Sequence, residues 1–186
     1  MRVSGLTRKW SHSSVLGLTD TDAVKLDFDN THFRRIKYWA FRTMKWFKLE
    51  GFIVLKSSKD HYHVVFDRKT SWTDNVRIMA WVSLMSHNRS LVKWFIMQCI
   101  KQGSTLRVSP KKEKPCPRIV FRSGSQNSQV AEFLKYRTVV KSIIERMQEN
   151  GKTEKTTVKN KERFLATQRT LLREHWTTRN KQNRSN

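Results

Sequence analysis

The chain has 186 residues, with 38 Lys and Arg against 15 Asp and Glu, giving a formal net charge of +23 at pH 7. Hydrophobic residues make up 37% and aromatics 11%, including seven tryptophans, which is enough for a packed core and too much for a wholly disordered chain. No apolar run reaches the roughly 18 residues of a membrane span, the opening MRVSGLTRKWSHSS lacks the apolar stretch of a secretion signal, and two distant cysteines, Cys99 and Cys116, make neither a disulfide framework nor a zinc site.

These features predict a soluble, cytoplasmic protein of one domain with a helical extension. So much positive charge repels itself unless a polyanion neutralises it. Basic residues interleaved with aromatics favour nucleic acid as that partner. A membrane surface is disfavoured because the basic segments are not cleanly amphipathic.

Residues 1–16 are rich in Ser and basic side chains and read as a flexible arm. Val24, Leu26 and Phe28 alternate with Lys25, Asp27 and Asp29, which predicts a strand over 23–29. The spacing of Phe33, Ile36, Ala40, Met44 (or Thr43) and Phe47 predicts a helix over 31–50, ended by Gly51. Residues 52–56 and 61–66 are strands of a hairpin around a polar turn. Helices follow at 74–86 (Val76, Met79, Ala80, Leu84) and 89–101 (Leu91, Phe95, Ile96, Cys99), the second stopped by Gly103. Strands at 105–108 and 118–121 flank a Lys/Pro-rich loop, and a helix over 128–148 packs on the core. Beyond residue 150 the composition turns to Lys, Thr, Asn and Glu. This reads as a linker, a short helix over 162–176 and a basic tail. From Gly151 onward stand ten Lys or Arg and three Glu, the composition of a polyanion grip. The expected organisation is a basic arm (1–16), a core (17–125), a packed helix (126–150) and a basic extension (151–186).

This element order predicts an α+β fold. The core is an RRM-like, split βαβ sheet with its first and third strands adjacent, helices on one face and the other face open. Alternation then places Lys25, Asp27, Asp29, His61, His63, Thr105 and Arg107 together on the open face. Two carboxylates at i, i+2 on a strand stand about 6–7 Å apart and can share a divalent ion. Imidazoles nearby can bind a metal ion or a phosphate, and an arginine offers phosphate a planar fork.

Three segments carry a family resemblance. Val24-Lys25-Leu26-Asp27-Phe28-Asp29 is a hydrophobic-D-x-D segment at a strand end. After a helix comes Leu55-Lys56-Ser57-Ser58-Lys59-Asp60-His61-Tyr62-His63-Val64-Val65-Phe66, and later Ser104-Thr105-Leu106-Arg107-Val108-Ser109-Pro110-Lys111. In order and spacing they resemble the archaeo-eukaryotic primase superfamily, which includes the primase-polymerases of archaeal plasmids, over about residues 20–122. The resemblance implies a DNA-replication protein of a mobile element, an archaeal plasmid or virus. By the same resemblance, Asp27 and Asp29 would bind Mg²⁺ or Mn²⁺ and act with His63 in nucleotidyl transfer. Ser57, Lys59, His61, Arg107 and Lys111 would hold a nucleoside triphosphate. A DNA template or primer-template, or RNA, is the implied polymer. Its candidate contacts are Arg34, Arg35, Arg42 and Lys45, with Lys152, Lys155, Lys159, Arg163, Arg169, Arg173 and Arg179 in the extension. No Walker-type segment is present, so a replicative role calls on a separate helicase or replication protein.

Two positions depart from the family pattern. Ser58, Asp60 and His61 stand where the second motif has glycines, and the third carboxylate is missing near Arg107, with Asp67 the candidate stand-in. A degenerate, non-catalytic RRM-like binding module is therefore one alternative. Another is a rolling-circle initiator endonuclease, which His61-Tyr62-His63 also resembles. That reading makes His61 and His63 metal ligands and Tyr136 the nucleophile, although Val139 replaces the lysine expected three residues after it. Among the tryptophans, Trp10 and Trp176 are the candidates for contacting bases. Trp39, Trp46, Trp72, Trp81 and Trp94 read as packing residues.

Overall fold

In the computed structural model, which describes residues 2–4, 15–111 and 114–153 (side chains of 15–111 and 114–146), eleven elements follow one another. They are β1 (Arg2–Ser4), β2 (Gly17–Asp20), β3 (Ala23–Phe28), α1 (Phe33–Trp46), β4 (Gly51–Ser58), β5 (His61–Lys69), α2 (Trp72–Met85), α3 (Arg89–Lys101), β6 (Ser104–Arg107), β7 (Arg118–Gly124) and α4 (Gln129–Thr153). The chain divides into two units, Met1–Ile144 and Glu145–Asn186. The fold is α+β with two antiparallel sheets, one ordered β3-β5-β4-β7 and the other β1-β2-β6. Among the described residues no helix is long and apolar enough to cross a membrane.

The first and third expected strands, β3 and β5, are neighbours and antiparallel. Three expectations are corrected. The segment read as a flexible arm contributes β1, which pairs with the unforeseen β2. The strand at 104–107 leaves the main sheet and pairs with β2 instead. The face expected to be open is largely covered. On one side of the four-stranded sheet Val24, Leu26, Phe28, Val64 and Phe66 pack against Ile36, Trp39 and Ala40 of α1 and against Ile78, Met79 and Leu91 of α2 and α3. On the other side Ile53, Leu55 and Val65 pack against Leu18 and Leu106 of the small sheet and Val130, Phe133 and Val140 of α4. Apolar side chains on both faces of β4 and β5 require a cover on each side.

Lys25 shows the consequence. Expected on an open face, it is fully buried, 2.5 Å from Asp20, and donates to the carbonyls of Leu18 and Ser104. Its ammonium also lies 5.6 Å from the centre of the Phe133 ring.

Helix ends and faces differ in detail. Helix α1 stops at Trp46, and Lys48 takes a left-handed φ of 53°. Gly51 is instead the first residue of β4, where an added Cβ would lie 2.0 Å from the Ser125 carbonyl oxygen, so the glycine permits the close approach of β7. Helix α3 ends in a left-handed Gln102, ahead of Gly103. Helix α2 buries Asn75, Ile78, Met79, Val82 and Ser83 while Leu84, assigned to its apolar face, is exposed; on α3, Ile96 is likewise exposed.

Asp67 is the staple that starts α4. Its buried carboxylate accepts from Ser125 Oγ (3.0 Å) and from the backbone N–H groups of Asn127 (2.7 Å), Ser128 (3.0 Å) and Val130 (2.9 Å). So occupied, it is not a spare acid for the site. Asp67→Ala would strand these donors and is expected to lower stability by roughly 2–4 kcal/mol. Urea unfolding followed by circular dichroism checks this, and a loss under about 1 kcal/mol would mean that α4 docks by apolar contact alone.

Candidate functional site

Antiparallel register places Asp27 directly opposite His63 and Phe28 opposite Tyr62. Directly opposed residues share a face of the sheet. Phe28 and Tyr62 point into the core, so Asp27 and His63 point away from it. His63 Nε2 lies 3.5 Å from Asp27 Oδ1. Just beyond the strand, Asp29 Oδ1 meets His61 Nδ1 in a short contact. Two acid–imidazole pairs therefore stand side by side where β3 ends and β5 begins.

The surrounding turns hold this end of the sheet. Asn30 and Asp60 take left-handed φ values of 51° and 56°, a conformation that Asn and Asp tolerate better than other side chains. Asp60 thus supplies a backbone shape that glycine would give. The Thr31 N–H donates to the Asp60 carbonyl at 2.9 Å and joins the two turns. Asn88, at the start of α3, donates to Thr31 Oγ1 at 2.7 Å while its own oxygen caps the Leu91 N–H.

The two inner members of the pairs have displaced acidities. Burial, then the charge of Asp29, pushes the Asp27 carboxyl up to about 7 against the opposing pull of Arg107 and Lys114. Burial, then Arg107 and His61, holds the His63 imidazole down to about 3. His63 is therefore held as a neutral ring, and the Asp27 carboxyl titrates well above the usual carboxylate range, near neutrality. A carboxyl poised there can release or take up a proton at little cost, which is what acid–base work and cation binding both need. His63 Nδ1 and Ser58 Oγ are both buried without a hydrogen-bond partner.

The basic residues have distinct roles. Arg107 donates to the carbonyls of Ser57 (3.0 Å), Pro115 (3.0 Å) and Ser109, so three of its five N–H donors already brace β4 and the loop after β6. It acts on Asp27 and His63 through its charge. Ser57 is buried at a register shift in β4, Lys59 is exposed on the β4–β5 turn, and Lys111 is exposed and bridged through its backbone to Lys114. Lys114 was missed in the sequence because its loop reads only as a cation-rich connection, yet its charge reaches Asp27.

Among the described residues no group of three or more His, Cys, Asp and Glu side chains is placed to hold a metal ion. The carboxylates of Asp27 and Asp29 still offer hard oxygen donors from one strand end. Mg²⁺ in phosphoryl-transfer sites is held by one or two carboxylates, with waters and substrate phosphates completing its shell. The donor set fits that kind of ion and does not form an all-protein cage.

Tyr136 packs half-buried against the cluster beneath α4. Arg34, Arg35, Arg42 and Lys45 are exposed on α1, with Arg35 also donating to the Ser86 carbonyl at 2.6 Å. The Lys152 side chain and Lys155, Lys159, Arg163, Arg169, Arg173 and Arg179 lie outside the described residues, as do Trp10, Trp176 and the helix expected over 162–176. The chain matches no protein-family model, no curated protein and no solved structure.

Proposed function

We propose that this protein binds nucleic acid and carries out metal-assisted nucleotidyl transfer at the Asp27–Asp29–His61–His63 site, as the resemblance to the archaeo-eukaryotic primase superfamily implies. The carrying observation is the juxtaposition of Asp27 with His63 and of Asp29 with His61 across β3 and β5. The run β3-α1-β4-β5, with β3 beside β5, supports the RRM-like reading of this part of the sheet.

In this reading Asp27 and Asp29 hold Mg²⁺ or Mn²⁺ together with the phosphates of a nucleoside triphosphate. Such an ion, when bound, neutralises phosphate charge and favours deprotonation of an attacking hydroxyl. His61 and His63 orient the two carboxylates. Arg107, braced by three carbonyls, supplies a fixed positive charge, and Lys59, Lys111 and Lys114 add mobile ones for the triphosphate. A DNA template, or RNA, neutralises the net charge of +23. Replication of a mobile element, with a separate helicase, is the setting that the resemblance implies.

The test is incorporation of labelled nucleotides on a single-stranded template with Mg²⁺ or Mn²⁺. Wild-type protein is expected to incorporate, and the Asp27→Ala/Asp29→Ala variant to lose at least about a hundredfold, the scale of removing electrostatic stabilisation. Wild-type protein that binds template but incorporates nothing would reduce the site to a binding module. A covalent protein–DNA adduct lost in Tyr136→Phe would replace the reading with strand transfer to a tyrosine.

A further inference from the structure

The outward face of α1 is built for a ligand with both flat rings and negative charge. Over Phe33–Trp46 the helix carries Arg34, Arg35, Lys37, Arg42 and Lys45 and no acidic residue. Its apolar face is spent on Ile36, Trp39 and Ala40. Yet Tyr38, on the outward side, and Trp46, on the flank beside Trp39 at the last turn, remain 51% and 66% exposed. Arg34, Tyr38, Arg42 and Trp46 follow one another at intervals of four residues. They form one stripe in which cation and ring alternate, each step rising about 6 Å along the axis.

Both rings are held in place. Arg42 donates to the Tyr38 hydroxyl at 2.8 Å, and its guanidinium lies 5.7 Å from the centre of that ring and 5.8 Å from the centre of Trp39. Trp46 stacks on Trp81 with centroids 5.9 Å apart and planes 14° from parallel, which covers one face of its indole. An indole stacked on one side and open on the other is a half-finished stack that a nucleobase can extend. The charge also selects the partner, because an anionic polymer with exposed bases matches alternating rings and cations, whereas an acidic protein would leave the rings unused.

We infer that the Arg34-Tyr38-Arg42-Trp46 stripe is a track for single-stranded nucleic acid, in which Tyr38 and Trp46 each stack a base and the flanking cations hold phosphates. The two rings are about 12 Å apart along the axis, so they take separate bases. The stripe starts five residues after Asp29, on the helix that follows the site strand. The inference rests on the nucleic-acid reading above and assigns it a place and a strandedness.

Fluorescence anisotropy of the full chain with labelled oligothymidylate, oligouridylate and a DNA duplex tests it. Trp46→Ala and Tyr38→Ala should each weaken single-strand binding roughly tenfold and leave duplex affinity unchanged, while Trp46→Phe, which keeps a ring, should lose much less. The two oligomers show whether DNA or RNA is the preferred strand, either of which fits the track. If the wild type binds strands and both alanine variants bind within about twofold of it, the track is wrong and the nucleic-acid reading stands. Equal losses on strand and duplex overturn the stacking role in the same way. A wild type that binds none of the three at low salt removes the nucleic-acid reading itself.

Discussion

Lys25→Met should lower the stability of the protein by about 3–5 kcal/mol, the scale of breaking a buried ion pair by removing one partner. Lys25 and Asp20 are both buried, 2.5 Å apart, between β2, β3 and β6. The ammonium also binds the Leu18 and Ser104 carbonyls, so it is a buried polar link between the two sheets. Methionine matches the stem of lysine in length but carries no charge, so the loss reports on the ion pair, the two hydrogen bonds and the ammonium's place over the Phe133 ring. It leaves the Asp20 carboxylate buried without its counter-ion. Adding Asp20→Asn removes that uncompensated charge, and the double variant should recover a large part of the loss. Urea titration of both variants with an unchanged m value checks this. A single variant within about 1 kcal/mol of wild type would mean that water reaches Asp20 and that the pair is not sealed.

Asp27→Asn should stabilise the metal-free protein, and more at pH 8 than at pH 5. The Asp27 carboxyl is raised from 3.8 to about 7. Between those values the folded protein keeps a proton that the unfolded chain has released, so stability falls as pH rises through the window, and the full cost stands above pH 7. At about 1.4 kcal/mol per pKa unit the distance sets an upper bound near 4 kcal/mol. The carboxyl retains 26% exposure, which reduces it, and a gain on the order of 2 kcal/mol is expected at pH 8. His63 acts with the opposite sign. Lowered from 6.5 to about 3, it stays neutral where the unfolded chain is charged, so its contribution rises with pH between those values. In the wild type the two slopes oppose one another between pH 4 and 6.5. In the Asn variant only the His63 slope remains, so its stability should climb with pH across that range relative to wild type. Unfolding midpoints in EDTA across pH 4–8 show it. Parallel pH curves for the two proteins would place the Asp27 carboxyl in ordinary solvent. A gain in stability on removing Asp27 would support its proposed chemical role.

The strands read at 23–29 and 61–66, the helices read at 31–50 and 89–101, and the shared face of Asp27 and His63 were legible in the sequence, though β5 runs on to Lys69 and α1 is shorter, Phe33–Trp46. Each rests on local periodicity, two for a strand and 3.6 for a helix, which the chain carries without knowing its partners. That same periodicity placed Lys25 beside Asp27 on an open face, and there it stopped being informative. Whether a face is open depends on what packs across it. The cover comes from Leu18 and Leu106 of the small sheet and from Phe133 of α4, all outside the strand itself and two of them far along the chain. The four residues of β2 are too few to announce a strand, and β2 is stabilised by its pairing with β6. Trp46, read as a packing residue, packs on one face alone: α1 ends there with its buried arc already filled, so the ring lies on Trp81 and stays 66% exposed. Composition and alternation determined the charge, most of the elements and the face of its strand that each acid and imidazole takes, while their pairing also required β3 to lie beside β5. Tertiary structure decided which polar groups were sealed in and which rings were left out, because burial is set by non-local contacts that no short window of sequence contains.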